Sequence, residues 1–142
     1  MKTGGYVAHA GAYEDSGLTT IYAGTSAAQI EELAHITMDE MKRAATDMTA
    51  AEVARARSQM KAGLLMGLES PSNRAERLAR LLSIWDRIPT IEETIERVDA
   101  VTTGDVKDFA GQMAGQAGTA MALYGPAEAA PTLDALKARL AA

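Results

Sequence analysis

Two runs near the start of the chain, Tyr6–Tyr13 and Leu18–Ala23, are rich in β-branched and aromatic residues and flank the polar cluster Glu14-Asp15-Ser16-Gly17. Such a cluster ending in glycine between two strand-like runs predicts a β-hairpin. In the first run Val7, His9, Gly11 and Tyr13 share one face, and Tyr6, Ala8, Ala10 and Ala12 share the other;. Both faces are mixed, so the alternation does not say which one is covered.

From Ser26 onwards the pattern turns helical. Ser26 and Gln29 stand at capping-box spacing and predict a helix to about Ala45, with Ile30, Leu33, Ala34, Thr37, Met41 and Ala44 as its apolar stripe;. A second box, Thr49 to Glu52, opens a helix whose inner face is Val53, Ala56, Met60, Leu64 and Gly67. Its end, GLLMGL, is apolar all round and is expected to be buried from several sides, with Gly63 and Gly67 one turn apart where a neighbour can come close;. Ser70-Pro71 then caps a helix that should turn Ala75, Leu78, Leu81, Leu82 and Trp85 inward and stop at Ile88-Pro89;. Thr90 and Glu93 form a third box ahead of Ile91, Ile95 and Val98. Thr102 and Asp105 open a helix carrying Val106, Phe109, Ala110 and Met113. GQAGT reads as a turn, TAMALYG as a short third strand, and Pro131–Leu140 as a terminal helix.

The order strand, strand, five helices, strand, helix predicts an α+β fold, an antiparallel sheet with helices packed on one face. Three strands are few for so many helices, which points to missing sheet.

Composition then removes function classes. A net charge of −5 over 142 residues argues against a general nucleic-acid binder;. No apolar run reaches the roughly 20 residues of a membrane helix, so no membrane partner is expected. No cysteine means no disulfide framework and no thiolate zinc site, and leaves the redox compartment open;. The two histidines, His9 and His35, lie in neither H-E-x-x-H nor H-x-x-E-H;. Glu31, His35 and Asp39 recur every four residues, a spacing that can hold a divalent ion;. They lie opposite the apolar stripe beside Lys42 and Arg43, however, and read as a solvated charged face. Arg74, Arg77 and Arg80 can grip a carboxylate or phosphate, but are expected to border the core and pair with acids such as Glu76;.

The segments SGLTTIYAGT, ARSQMKAGLLMGLES, RAERLAR and VDAVTTGDVKDFA, in this order and spacing, resemble the C-terminal domain of insulinase-like zinc peptidases, the family of pitrilysin and the mitochondrial processing peptidase, with the bacterial members most alike. The resemblance implies that residues 1–142 are a partial, N-terminally truncated C-terminal domain, half of a clamshell that closes on an unfolded peptide. It implies the non-catalytic half, with zinc held in an N-terminal peptidase domain or a homologous subunit. An alternative is a structural subunit of the same fold without activity, as among respiratory-complex core proteins. Family members place an arginine seven residues before a tyrosine at the start of this hairpin, both reaching the substrate beside the zinc. Tyr6 falls on the tyrosine position, and its arginine would precede Met1. A phenol over the scissile carbonyl would stabilise an oxyanion. A strand residue packed at a sheet edge is the competing reading of Tyr6. The first strand has neither lysine nor proline to block its edge, so self-association through that edge is a further expectation.

Overall fold

A computed structural model describes residues 5–13, 15–115 and 118–141; the side chains of Tyr6 and Ala12 lie outside the described set. The predicted turn residues Glu14, Gln116 and Ala117 also lie outside it. The elements run β1 (Gly5–Ala12), β2 (Gly17–Gly24), a 3₁₀ turn (Ala27–Gln29), α1 (Ile30–Thr46), α2 (Ala50–Gly67), α3 (Pro71–Trp85), α4 (Ile91–Ala100), α5 (Thr103–Ala114) and α6 (Leu133–Ala141). The fold is α+β, mostly helical, with β1 and β2 forming a two-stranded antiparallel sheet. Tyr13 N–H donates to the Ser16 carbonyl at 2.8 Å and closes the hairpin turn.

The chain divides into two compact units, and the division runs through the hairpin. The first comprises Met1–Ala8, Ile21–Met48 and Gly104–Ala142. Here α6 packs on α1. Leu136 and Leu140, one helical turn apart, are buried. At the rim Arg139 donates to both carboxylate oxygens of Asp39, at 2.8 and 2.6 Å. Thr132 starts α6 by accepting the Ala135 N–H at 3.2 Å. The α1 stripe is half-buried along its length, as its period predicts.

The second unit comprises His9–Thr20 and Thr49–Thr103. Thr49 and Glu52 form the complete reciprocal capping box, with Glu52 N–H donating to Thr49 Oγ1 at 3.2 Å and Thr49 N–H to Glu52 Oε2 at 2.9 Å. Val53, one position further on, is buried. α2 is tied to α4 where that helix ends. Arg57 Nη1 donates to the Asp99 carbonyl at 2.8 Å, and Lys61 Nζ pairs with Asp99 Oδ1 at 2.6 Å. A cation at the last turn of a helix meets its unpaired carbonyls and the negative end of its dipole. α3 begins as expected, with Pro71 at the first helical position and Ser70 Oγ accepting the Asn73 N–H at 3.3 Å. It ends on Asp86, whose φ of 51° is left-handed.

Several expectations are corrected. Ser26 makes no capping bond to the backbone. Its hydroxyl meets Gln29 Oε1 at 3.5 Å, and a 3₁₀ turn fills the space before α1. At α4 only half of the third box forms. Thr90 accepts the Glu93 N–H at 3.1 Å, but the Glu93 carboxylate turns to Arg87 at 2.9 and 2.5 Å. A guanidinium offers two parallel charged donors, a stronger match for a carboxylate than one backbone N–H. Arg77 donates to Thr94 Oγ1 at 3.2 Å rather than pairing with Glu76. Residues 118–124 form no strand, and Tyr124 is fully exposed. Among the described residues no third strand offers a ladder, and an apolar run without a ladder partner stays irregular. The GLLMGL end of α2 is not enclosed either. Leu65 and Met66 are exposed, as is Met60. Nothing lies within 4 Å of where a Cβ would stand at Gly63 or Gly67. Most of the predicted inward stripe of α3 faces solvent: Ala75, Leu78, Leu82 and Trp85 are exposed, and Leu81 is half-buried. Phe109 on α5 is exposed as well. Helical period fixes which residues share a face; whether a neighbour covers that face depends on the rest of the fold.

Candidate functional site

β1 shows its His9/Gly11/Tyr13 face to the last turns of α3. His9, Gly11, Tyr13 and Asp15 from the hairpin and Arg80, Ser83 and Ile84 from α3 line an open cleft of about 530 Å³. The period-two alternation brings His9 and Gly11 of β1, and Tyr13 just past its end, to one side;. On α3, Arg80, Ser83 and Ile84 fall within one flank because positions three and four apart are neighbours. A Cβ at Gly11 would stand 3.6 Å from His9 Nε2 and 3.9 Å from Tyr13 Cε2, ordinary contacts. The imidazole and phenol therefore flank the glycine.

The cleft offers an imidazole, a phenol, a carboxylate, a guanidinium and a hydroxyl in an open, solvated setting. Such a lining suits hydrogen bonding to a polar chain. Tyr6 lies in β1 three residues before His9, and its side chain is outside the described residues. His9, which sequence alone assigned to no site, lines this cleft; its place on the Tyr13 face was the readable signal.

The described residues do not fit a zinc ion. Among the described residues no group of three or more histidine, cysteine, aspartate or glutamate side chains could hold a metal. The Glu31/His35/Asp39 row is broken as a donor set because both oxygens of Asp39 are engaged by Arg139. That hydrogen-bonded pairing holds the Asp39 carboxyl below its ordinary value and raises the Arg139 guanidinium above its own. Glu93 is likewise lowered, first by the hydrogen bonds from Arg87 and then by the charges of Arg87 and Arg97.

Residues 2–60, which span the hairpin, α1 and the first turns of α2, match the family described as "Peptidase M16 inactive domain". The chain is 34% identical over 128 residues to the probable mitochondrial-processing peptidase subunit beta of Arabidopsis thaliana, covering 89% of this chain and 24% of that one. It is 31% identical over 102 residues to the uncharacterized zinc protease YmxG of Bacillus subtilis (strain 168), covering 71% of this chain and 25% of that one. The chain thus spans about a quarter of the length of these relatives. Its fold matches a chain in the structure "Complex III2 from Candida albicans, Inz-5 bound", with a TM-score of 0.70 at 24% identity, over 75% of this chain and 26% of that one.

Proposed function

With residues 2–60 matching the M16 inactive domain, the chain is related to the M16 peptidases, and we propose that it is part of the substrate-enclosing, non-catalytic half of a zinc metallopeptidase. On this reading residues 1–142 are a partial C-terminal domain. Zinc sits in an N-terminal peptidase domain or a homologous subunit, and the substrate is an unfolded peptide. The match to an inactive domain carries the proposal. The misfit of the described residues to a metal agrees with that division of labour, and the polar cleft beside β1 suits a wall that touches a peptide backbone.

Within that role Tyr6 is the residue assigned to the substrate, its phenol donating to the oxyanion that forms during peptide cleavage. The test is Tyr6→Phe in the assembled peptidase, with the zinc-bearing part present. Loss of one oxyanion donor lowers kcat by roughly 10²–10³-fold. An unchanged kcat would make Tyr6 a strand residue only. The likeness to a chain of the complex III2 structure favours a second reading, a structural subunit without activity. Under that reading no zinc-bearing partner gains peptidase activity from this chain.

A further inference from the structure

The cleft between β1 and α3 is rich in hydrogen-bond donors. His9 and Tyr13 bring an imidazole and a phenol from the strand side, and Arg80 and Ser83 bring a guanidinium and a hydroxyl from the helix. Asp15, at the end of the hairpin, is the one lining side chain that, ionised, only accepts;. A guanidinium has five N–H donors in a planar fork, so Arg80 can keep another interaction and still present donors to the cleft. Ile84 adds an apolar side. Gly11 lies between the two rings. Its backbone is not left-handed, and a Cβ there would make ordinary contacts of 3.6–3.9 Å, so neither conformation nor packing calls for glycine. A glycine inside a strand on those terms marks a place where another group approaches the backbone closely.

A donor-rich slot with an apolar side is complementary to an anionic acceptor on a short apolar stem. We propose that the cleft holds a carboxylate of the bound peptide, with Arg80 and Ser83 donating to its oxygens, the Tyr13 hydroxyl as a further donor, and the stem over Gly11 against Ile84. This rests on the reading of the chain as a wall that touches a peptide, and adds which peptides the wall holds. They carry a glutamate or aspartate side chain, or a C-terminal carboxylate, at the cleft. An ionised carboxylate has about four lone-pair sites, and hydrogen bonds to a charged acceptor are shorter and stronger than those to a neutral one. A peptide carbonyl meets the same donors without that charge, and a basic side chain would face the Arg80 guanidinium. Asp15 opposes the bound anion and so limits its affinity.

The experiment is an NMR titration of the full 142-residue chain, following the ring signals of His9 and Tyr13. The probes are flexible, otherwise uncharged peptides with blocked amino ends. One has a central glutamate and an amidated end, a second has glutamine in its place, and a third is the glutamine peptide with a free C-terminal carboxylate. A carboxylate should tighten binding roughly three- to tenfold over the uncharged peptide, as expected for a few charge-assisted bonds in an open setting. A gain from glutamate alone assigns the carboxylate to a side chain, and a gain from the free end alone assigns it to the chain terminus. Arg80→Gln should abolish the preference, and Asp15→Asn should strengthen carboxylate binding about twofold. Both positions are exposed, so both variants should fold;. Peptides that bind with no preference for a carboxylate overturn the proposal and leave the peptide-wall reading standing. If no peptide binds, but N-acetylglutamate shifts the same rings and Arg80→Gln stops it, the carboxylate site stands and the peptide reading falls. A preference that survives Arg80→Gln, or no response to any probe, overturns the site.

Discussion

Asp86 ends α3 in a conformation that few side chains accept. Its φ is 51° and ψ 21°, and its N–H donates to the Leu82 carbonyl at 2.9 Å. Left-handed backbone costs an L-residue roughly 1–2 kcal/mol, less for aspartate, and glycine almost nothing. Asp86→Gly should therefore be neutral or raise stability by up to about 1 kcal/mol, and Asp86→Val should lower it by about 1–2 kcal/mol, read from thermal or urea unfolding. Equal effects of the two would place the helix end elsewhere. Trp85, the preceding residue, shows how much a single position can mislead. Its place at the end of a leucine stripe reads as core, yet it is about half exposed. Trp85→Ala should then cost about 2 kcal/mol, roughly half of what emptying a fully buried aromatic site costs. Nothing in its neighbours along the chain encodes the exposure. The Arg97 that covers it comes from α4 and is invisible to local pattern.

At the scale of elements, capping chemistry was legible where a hydroxyl could reach the third N–H along, and failed where a better partner competed. Thr49 caps α2 and Ser26 does not cap α1, although both stand three residues ahead of a glutamate or glutamine. Thr49→Ala should cost about 1 kcal/mol, and Ser26→Ala should stay within about 0.5 kcal/mol. A larger loss for Ser26→Ala would restore the predicted box. The charged ties between elements were less readable. Asp39 and Arg139 are a hundred positions apart in the chain, and only the docking of α6 on α1 brings them together. Since the folded-state pKa of Asp39 lies below its unfolded value, the pairing stabilises the fold above the ordinary carboxylate range;. That contribution is lost as pH falls through the lowered folded value. Arg139→Gln should flatten the acid limb of the stability–pH curve below about pH 4. An acid limb of the same depth in wild type and variant would mean that the pair carries no linkage.

At the scale of the molecule, few apolar side chains are enclosed. Val53, Leu136 and Leu140 form the buried hydrophobic set among the described residues. Leu136→Ala should cost about 2–5 kcal/mol, because Leu136 is buried on α6, the helix that packs on α1;. A loss below about 1 kcal/mol, measured by chemical unfolding, would show that α6 is not fixed by its apolar face. The α+β class, the hairpin and six helices were readable from period and turn chemistry. The third strand was not, because a strand exists by virtue of its neighbours and TAMALYG carries no record of whether one is present. The candidate site was legible only in part. His9 and Tyr13 share a strand face in the sequence, but their pairing with Arg80 and Ser83 arises from how α3 passes the hairpin. The exposure of Leu78, Leu82 and Trp85 on α3 belongs to the same scale, because apolar period does not record whether another element covers the face;.

The central claim is that this chain supplies peptidase architecture and no catalytic metal. The most direct measurement is peptide hydrolysis, with zinc content, for the pure chain and for a zinc-bearing M16 subunit with and without the segment that contains it. The account predicts no bound zinc and no hydrolysis by the chain alone, and chelator-sensitive activity that needs both parts. Stoichiometric zinc in the dialysed pure chain, together with chelator-sensitive cleavage by that chain, would contradict it.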